Sequence, residues 1–357
     1  MIYPAFNVNR YFYLPIAPPE DDPYFMDSDN GGGMYDTRYF PQAKTFWHQG
    51  EWRDWQQCQV HAMAHVVHYG SSCFEGIRAY STENGAAIFR LGDHIRRFMH
   101  SASVLDMKVP YDEAEITAVC REVLQKNKLR SAYIRPNLFY GYGNLGLIPY
   151  ASEVQLSVGA WNWGAYLGED GVRNGIKTLI LPWPRLHHSQ IDNQAKLGGL
   201  YVQSNVGGSY ARKQGYHEGI FLNLEGHIAE GPGENIIIVK DGCVKTNDNL
   251  SSVLEGITRQ TTLQLAAEMG HQTEIGIITK AELFGADEVF FTGTAAEITP
   301  IISVSDGSNP DQPVQEYVIG DGRPGPLTLA LAGRYADVVH GRVTTNEEWL
   351  THVRVEE

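Results

Sequence analysis

Short apolar runs separated by glycine-bearing turns fill the chain between residues 219 and 270, and this succession limits the fold more than any other feature. Residues 219–224 and 235–240 read as strands flanking Gly231-Pro232-Gly233. Asp241-Gly242 leads into a further strand over 243–246, and Asp-Gly between two such runs is the favoured chemistry of a tight hairpin. Gly256-Ile257-Thr258 then precedes a helical stretch over 259–269 that Gly270 stops. Strands joined by hairpins and by a helix require a sheet with helical cover, so the expected class is α/β.

The same pattern extends to both sides. Residues 87–91, 132–140 and 154–160 read as strands. Residues 93–105 carry Ile95, Phe98, Met99, Ala102 and Leu105 at helical spacing, and 112–127 place Ile116, Val119, Cys120, Val123 and Leu124 on one face. Residues 176–183 read as a strand, 303–326 as a loop rich in Asp, Gly and Pro, and Gly325-Pro326 as the start of a closing helix. With 357 residues the chain is long enough for two cores. The expected division is an N-terminal arm over 1–44, a smaller α/β domain over 45–162, an interdomain linker over 163–170 and a larger domain over 171–357. The arm mixes prolines with aromatic side chains such as Tyr3, Phe6, Tyr11, Phe12 and Tyr13. Disordered tails are poor in aromatics, so the arm is expected to lie against the body or a neighbouring subunit.

Several positions in the central stretch carry chemistry. Lys196 stands ahead of a segment, 197–214, that reads as a helix. The positive end of a helix dipole and burial both favour a neutral amine, which can condense with an aldehyde. Tyr201 follows five residues later, within reach of a phenolic oxygen on such a ligand. Glu230 lies in the glycine-bearing turn, where a buried carboxylate needs a partner and a ring nitrogen would serve. The backbone of Gly256-Ile257-Thr258, the Thr258 hydroxyl and the turn Phe291-Thr292-Gly293-Thr294 suit a phosphate. Taken singly, each is equally an exposed lysine, a core tyrosine, a solvated turn or a capped helix. Two other patterns carry less. Gly141-x-Gly143-x-x-Gly146 has dinucleotide-binding spacing, but Pro149 and the aperiodic 147–152 leave no helix to hold a phosphate. His61, His65 and His68 would share a helix face, yet no Cys, Asp or Glu interleaves with them, so they read as packed or surface histidines and no metal is expected.

Four motifs occur together: Lys196-x-Gly198-Gly199-x-Tyr201, Glu230-Gly231-x-Gly233-Glu234-Asn235, Gly256-Ile257-Thr258-Arg259, and Phe291 through Glu297. In this order and spacing they resemble the branched-chain-amino-acid aminotransferases of PLP fold type IV, over most of the chain from about Phe46 to about Leu331. The resemblance implies two α/β domains with pyridoxal 5′-phosphate (PLP) between them. It implies Lys196 as the catalytic lysine, and Arg97, Lys196, Tyr201, Glu230, Asn235, Leu254, Ile257, Thr258, Gly293 and Thr294 as cofactor-binding residues. The runs around Tyr69 to Arg78, Tyr133 to Arg135 and Trp161 to Tyr166 match pocket motifs of the family. Substrate contacts are accordingly implied for Tyr69, Phe74, Gly76, Arg78, Tyr133, Arg135, Trp163, Tyr166, Ala295 and Ala296, with Tyr69 reaching across a dimer and Arg135 suited to a second carboxylate. The implied reaction moves an amino group from leucine, isoleucine or valine to 2-oxoglutarate, in a homodimer or higher homo-oligomer. One stretch departs from the family pattern. Relatives show an Asn-Thr-Pro-Thr run before the lysine and an Asn before the tyrosine, whereas here 185–194 read Arg-Leu-His-His-Ser-Gln-Ile-Asp-Asn-Gln and Leu200 precedes Tyr201. Arg185, His187 and His188 are therefore expected near an altered pocket rim that broadens the range of donors.

A net charge of −14 argues against nucleic acid or an anionic membrane as partner. Cys58, Cys73, Cys120 and Cys243 form no C-x-x-C pair and read as reduced thiols. No basic start followed by an apolar run marks a signal peptide, so the expected location is the cytoplasm. Three other activities share these motifs in whole or part: a D-amino-acid or (R)-amine transaminase, an aminodeoxychorismate lyase, and a PLP-binding protein without catalysis.

Overall fold

The computed structural model describes Phe40, residues 43–164 and residues 167–356. The expected arm falls outside the described residues apart from Phe40, Ala43 and Lys44. Phe40 packs edge-on to Trp161 at 5.3 Å, and Lys44 N donates to Asn127 Oδ1 at 2.8 Å.

Two sheets carry the chain. The first runs in the order Leu350–Val353, Gly85–Phe89, Ile77–Thr82, Ala132–Tyr140, Val154–Trp161, Thr45–His48 and Glu51–Asp54, with Ser72–Phe74 also paired to Ala132–Tyr140. Its pairings are antiparallel. The helices Leu91–Val104 and Glu113–Asn127 cover one face, burying Ile95, Phe98, Ile116, Val123 and Leu124 against Ile77, Ile88, Ile134 and Leu138. Asp112 fixes the start of the second helix in a capping box: its carboxylate accepts from Glu115 N, and Glu115 reaches back to Asp112 N.

The second sheet runs Thr273–Ile275, Cys243–Thr246, Asn235–Lys240, Glu288–Gly293, Glu297–Asp306, Ile176–Pro184 and Glu218–Leu222, with Gln315–Val318 on Glu297–Asp306. Two of its parallel pairs need crossovers, supplied by the helices Tyr201–Lys213 and Ile257–Glu268. The hairpin at Asp241-Gly242 has both residues at positive φ, 51° and 77°, as a two-residue turn that follows the strand twist requires.

Alternation along Gly85–Phe89 explains how the sheets are joined. Ala86 and Ile88 face the covering helices, while Ala87 and Phe89 face the other way, onto the helix Pro326–Val339. That helix inserts Leu331, Tyr335 and Val338 between Tyr80, Ala87 and Phe89 of the first sheet and Ile237, Val239 and Phe290 of the second.

Two expectations are corrected. The stretch 303–326 is not one loop: it holds the end of Glu297–Asp306 and all of Gln315–Val318. Its turn residues concentrate between the strands, and the buried serines Ser303 and Ser305 concealed the alternation. The last strand, Leu350–Val353, comes from the part of the sequence assigned to the larger domain, yet pairs with Gly85–Phe89 in the first sheet. Four residues carry too short a pattern to show which sheet they join.

Candidate active site

Lys196 is held by its backbone before its side chain acts. Its N–H donates to Ser101 Oγ at 2.8 Å and its carbonyl accepts from Phe74 N at 3.1 Å. A single 3₁₀ turn, Gly198–Leu200, then brings Tyr201 round so that Lys196 Nζ donates to its hydroxyl. Glycine lets that turn pack close to the neighbouring strand: a Cβ on Gly198 would lie 2.2 Å from Ser72 Oγ, which would have to turn away. The Phe74 ring stands beside both groups, 4.8 Å from the Tyr201 ring and 5.0 Å from Nζ.

Glu230 lies between the strands Glu218–Leu222 and Asn235–Lys240 and is buried. Its Oε1 accepts from Arg185 Nε at 3.0 Å and faces Arg185 Nη2 at 3.0 Å, while Oε2 accepts from Leu254 N at 3.0 Å and Asn235 Nδ2 at 3.2 Å. Burial pushes the Glu230 carboxyl up from its ordinary value, and Arg185, Leu254 N and Lys196 oppose this only in part.

Arg97 comes from the helix Leu91–Val104. Its Nε and Nη2 donate to Glu75 at 2.6 and 2.9 Å, and Nη1 donates to Glu255 O at 3.1 Å. Glu75 is fully buried and also faces His94 Nδ1 at 2.8 Å. Burial opposes its charge, but Arg97 and His94 together hold the carboxyl well below the usual carboxylate range.

The opposite wall is the start of the helix Ile257–Glu268, whose first-turn N–H groups have no intrahelical acceptor. Gly256 precedes it with no room for a side chain: a Cβ would stand 2.0 Å from Asn235 Oδ1. Thr292, Gly293 and Thr294 face this helix start across the cleft, and the buried Thr292 hydroxyl has no hydrogen-bond partner.

Arg97, Lys196, Tyr201, Glu230, Asn235, Leu254, Ile257, Thr258, Gly293 and Thr294 all line this one cleft. The donor set suits an anion at the helix start, a cationic or hydrogen-bonding ring atom at Glu230, and a carbonyl carbon at Lys196. The residues expected at the substrate are more scattered. Arg78 bridges the sheets, donating to Ala295 O at 3.3 Å with Glu297 at 3.3 Å, and so braces the turn that carries Ala295 and Ala296. Tyr133 packs 4.6 Å from Trp163, and its hydroxyl leaves no space for a Cβ at Gly76. Arg135 lies over the Phe74 ring at 4.7 Å, and its buried Nε has no partner. Tyr69 does not reach the cleft of its own chain: it is half exposed and donates to Leu145 O at 3.0 Å. Tyr166 lies outside the described residues.

The rim assignment is corrected. Arg185 is buried, bound to Glu230 and to Ser204 Oγ, and lines the cleft itself. His187 and His188 lie ring against ring at 4.0 Å, tilted by 38°, and turn to Ser189 and Ser252. His65 is likewise a packed histidine, facing Ser71 Oγ at 2.7 Å and Gly146 O at 3.1 Å, and the 141–146 segment is irregular with no helix after it. Sequence reasoning also passed over Glu75, although an acid inside an aromatic loop was the available signal.

Comparison with known proteins places these features in a wider set. Residues 72–304 match the family model described as amino-transferase class IV. The branched-chain-amino-acid aminotransferase of Pseudomonas aeruginosa is 42% identical over 86% of this chain and 97% of its own length. The crystal structure of the Escherichia coli branched-chain amino acid aminotransferase superposes with a TM-score of 0.82 at 39% identity, covering 87% of this chain and 99% of that one. A T.th. branched-chain amino acid aminotransferase, solved with pyridoxamine 5′-phosphate, superposes with a TM-score of 0.81 at 39% identity, with the same coverage.

Proposed function

The chain belongs to the class IV aminotransferase family, and from that premise we propose that it transfers the amino group of leucine, isoleucine or valine to 2-oxoglutarate with PLP as cofactor. The observation that carries the reading is that ten residues scattered over nearly 200 positions of sequence line one cleft. The donors present fit the cofactor. Arg97, the helix start at Ile257 and Thr258, Gly293, Thr294 and the partnerless Thr292 hydroxyl suit its phosphate, and the under-compensated Glu230 suits its ring nitrogen.

PLP, when bound, supplies an aldehyde that captures amines and a ring that withdraws electrons. The rest is the work of the chain. Lys196 Nζ takes the proton from the substrate Cα, oriented by its hydrogen bond to Tyr201. Glu230 would hold a proton on the ring nitrogen. Phe74, packed beside Lys196 and Tyr201, keeps water from the amine. The turn at Ala295 and Ala296, braced by Arg78, receives the substrate α-carboxylate, and the Arg135 guanidinium suits the second carboxylate of 2-oxoglutarate. A homodimer and a cytoplasmic location complete the reading. The four free cysteines support the second, and among the described residues no helix is long and apolar enough to cross a membrane.

The test is a panel of donors compared by kcat/KM with 2-oxoglutarate as acceptor. Branched-chain L-amino acids are expected to lead, with a weaker activity on a non-standard amine or amino acid. A D-amino acid or (R)-1-phenylethylamine ahead of all three would overturn the substrate assignment.

A further inference from the structure

Residues 253–255 lead into Gly256 and the helix start, and surrounding side chains occupy their backbone. Val253 O accepts from Gln194 Nε2 at 2.9 Å, and Glu255 N donates to Gln194 Oε1 at 3.0 Å. Leu254 N donates to Glu230 Oε2 at 3.0 Å, and Leu254 O accepts from Asn235 Nδ2 at 2.8 Å. Glu255 O accepts from Arg97 Nη1 at 3.1 Å. Arg97, Glu230 and Asn235 line the cleft; Gln194 does not. It stands two residues before Lys196, in the stretch that departs from the family pattern. Its own N–H is fixed on Asp192 Oδ1 at 2.8 Å.

We propose that Gln194 is a positioning residue that ties the lysine loop to the helix start, so that the grip on a phosphate and the placement of Lys196 are set together. The chemistry is that of one planar amide using its donor and its acceptor on two peptide groups of the same short segment. Turning the amide over puts N–H against N–H and C=O against C=O, so one orientation satisfies both bonds. At the other end, Lys196 is pinned through Ser101 Oγ and Phe74 N, which leaves the loop little freedom to slide without moving residues 253–255. Neighbouring Asn193 strengthens the tie by donating to Ser252 O at 3.0 Å. A phosphate seated at Gly256, Ile257 and Thr258 thus reports its position to the lysine through backbone rather than through the ligand.

The proposal rests on the PLP reading of the cleft, and its test separates the two. Apo-protein, wild type and Gln194→Met, is titrated with PLP and with phosphate-free pyridoxal, and binding is followed by absorbance. Methionine keeps the length and removes both hydrogen bonds. The advantage of PLP over pyridoxal, read as the ratio of the two Kd values, is expected to shrink about tenfold in the variant, the scale of one or two lost hydrogen bonds. An unchanged ratio overturns the proposal, including the case in which both ligands weaken together, which a general loosening of the fold would give. If the methionine variant fails to fold, Gln194→Asn, one methylene shorter, is read the same way. A wild-type protein that binds PLP no better than pyridoxal overturns the phosphate reading itself.

Discussion

Two buried carboxylates, each paired with an arginine that lines the cleft, behave oppositely. Glu75 gives each of its oxygens to a different nitrogen of Arg97 and also faces His94, and its pKa is driven down. Glu230 meets Arg185 through Oε1 alone, while its Oε2 has only the neutral donors Leu254 N and Asn235 Nδ2, and its pKa is driven up. Arg185 is also shared, donating to Ser204 Oγ at 2.9 Å and lying over the Phe221 ring at 5.2 Å. A carboxylate paired through both oxygens is a counterion that aims its arginine. One left short of positive charge is a site for a further cation. On the proposed reading, Glu75 holds Arg97 toward an anion and Glu230 holds a proton on a ligand atom.

The largest effect is expected at Lys196, which lines the same cleft. Lys196→Ala should lower turnover by about 10⁴-fold, the upper end for loss of a positioned acid–base group, while the thermal midpoint of the apo-protein changes little. Near-normal transamination by this variant would remove the lysine from the mechanism. Next comes Glu75→Gln, which leaves the partly buried Arg97 without its counterion. Apo-protein stability should fall by about 3 kcal/mol, and bound PLP should recover part of the loss by offering Arg97 another anion. Equal destabilisation of apo and loaded protein in chemical denaturation would sever Arg97 from phosphate binding.

The smallest effect concerns pH and a third buried acid. Burial, with Glu218 nearby, pushes Glu234 from 4.5 to about 8. Between those values the folded protein keeps a proton that the unfolded chain has released, so stability falls as pH rises through this window. Glu234→Gln should flatten the decline in thermal midpoint between pH 6 and pH 8 relative to wild type, a shift of a few degrees at most. Glu75 has the opposite sign: its contribution is full above pH 4.5 and is lost as pH falls toward its depressed folded value. A wild-type midpoint that rises from pH 6 to pH 8 with no difference in the variant would show that Glu234 does not keep its proton.

Much of this was legible in the sequence, for a physical reason. The residues proposed to hold the cofactor sit on short local patterns, a glycine turn after a strand or a glycine at a helix start, and such patterns fix backbone direction within a few residues. The hairpin at Asp241 and the helices carrying Arg97 and Ile116 were readable in the same way. What escaped depends on contacts between distant segments. Arg185 looks like a rim residue until Glu230, 45 positions later, is folded against it. Glu75 is hidden among aromatics until a helix brings Arg97 and His94 onto it. Ser303 and Ser305 read as loop because nothing local shows that a strand there is buried on both faces.

The contrast between the pairs comes down to one measurement. A single half-reaction with L-leucine, without keto acid, is followed by the absorbance of the bound cofactor in wild type, Glu75→Gln and Glu230→Gln, each at saturating PLP. The account predicts a rapid change in wild type, a rate within about threefold of it for Glu75→Gln, and a rate lower by about 10²-fold for Glu230→Gln, because a neutral amide holds the ring-nitrogen proton poorly. No spectral change with L-leucine in wild type, or equal rates for wild type and Glu230→Gln, would contradict it.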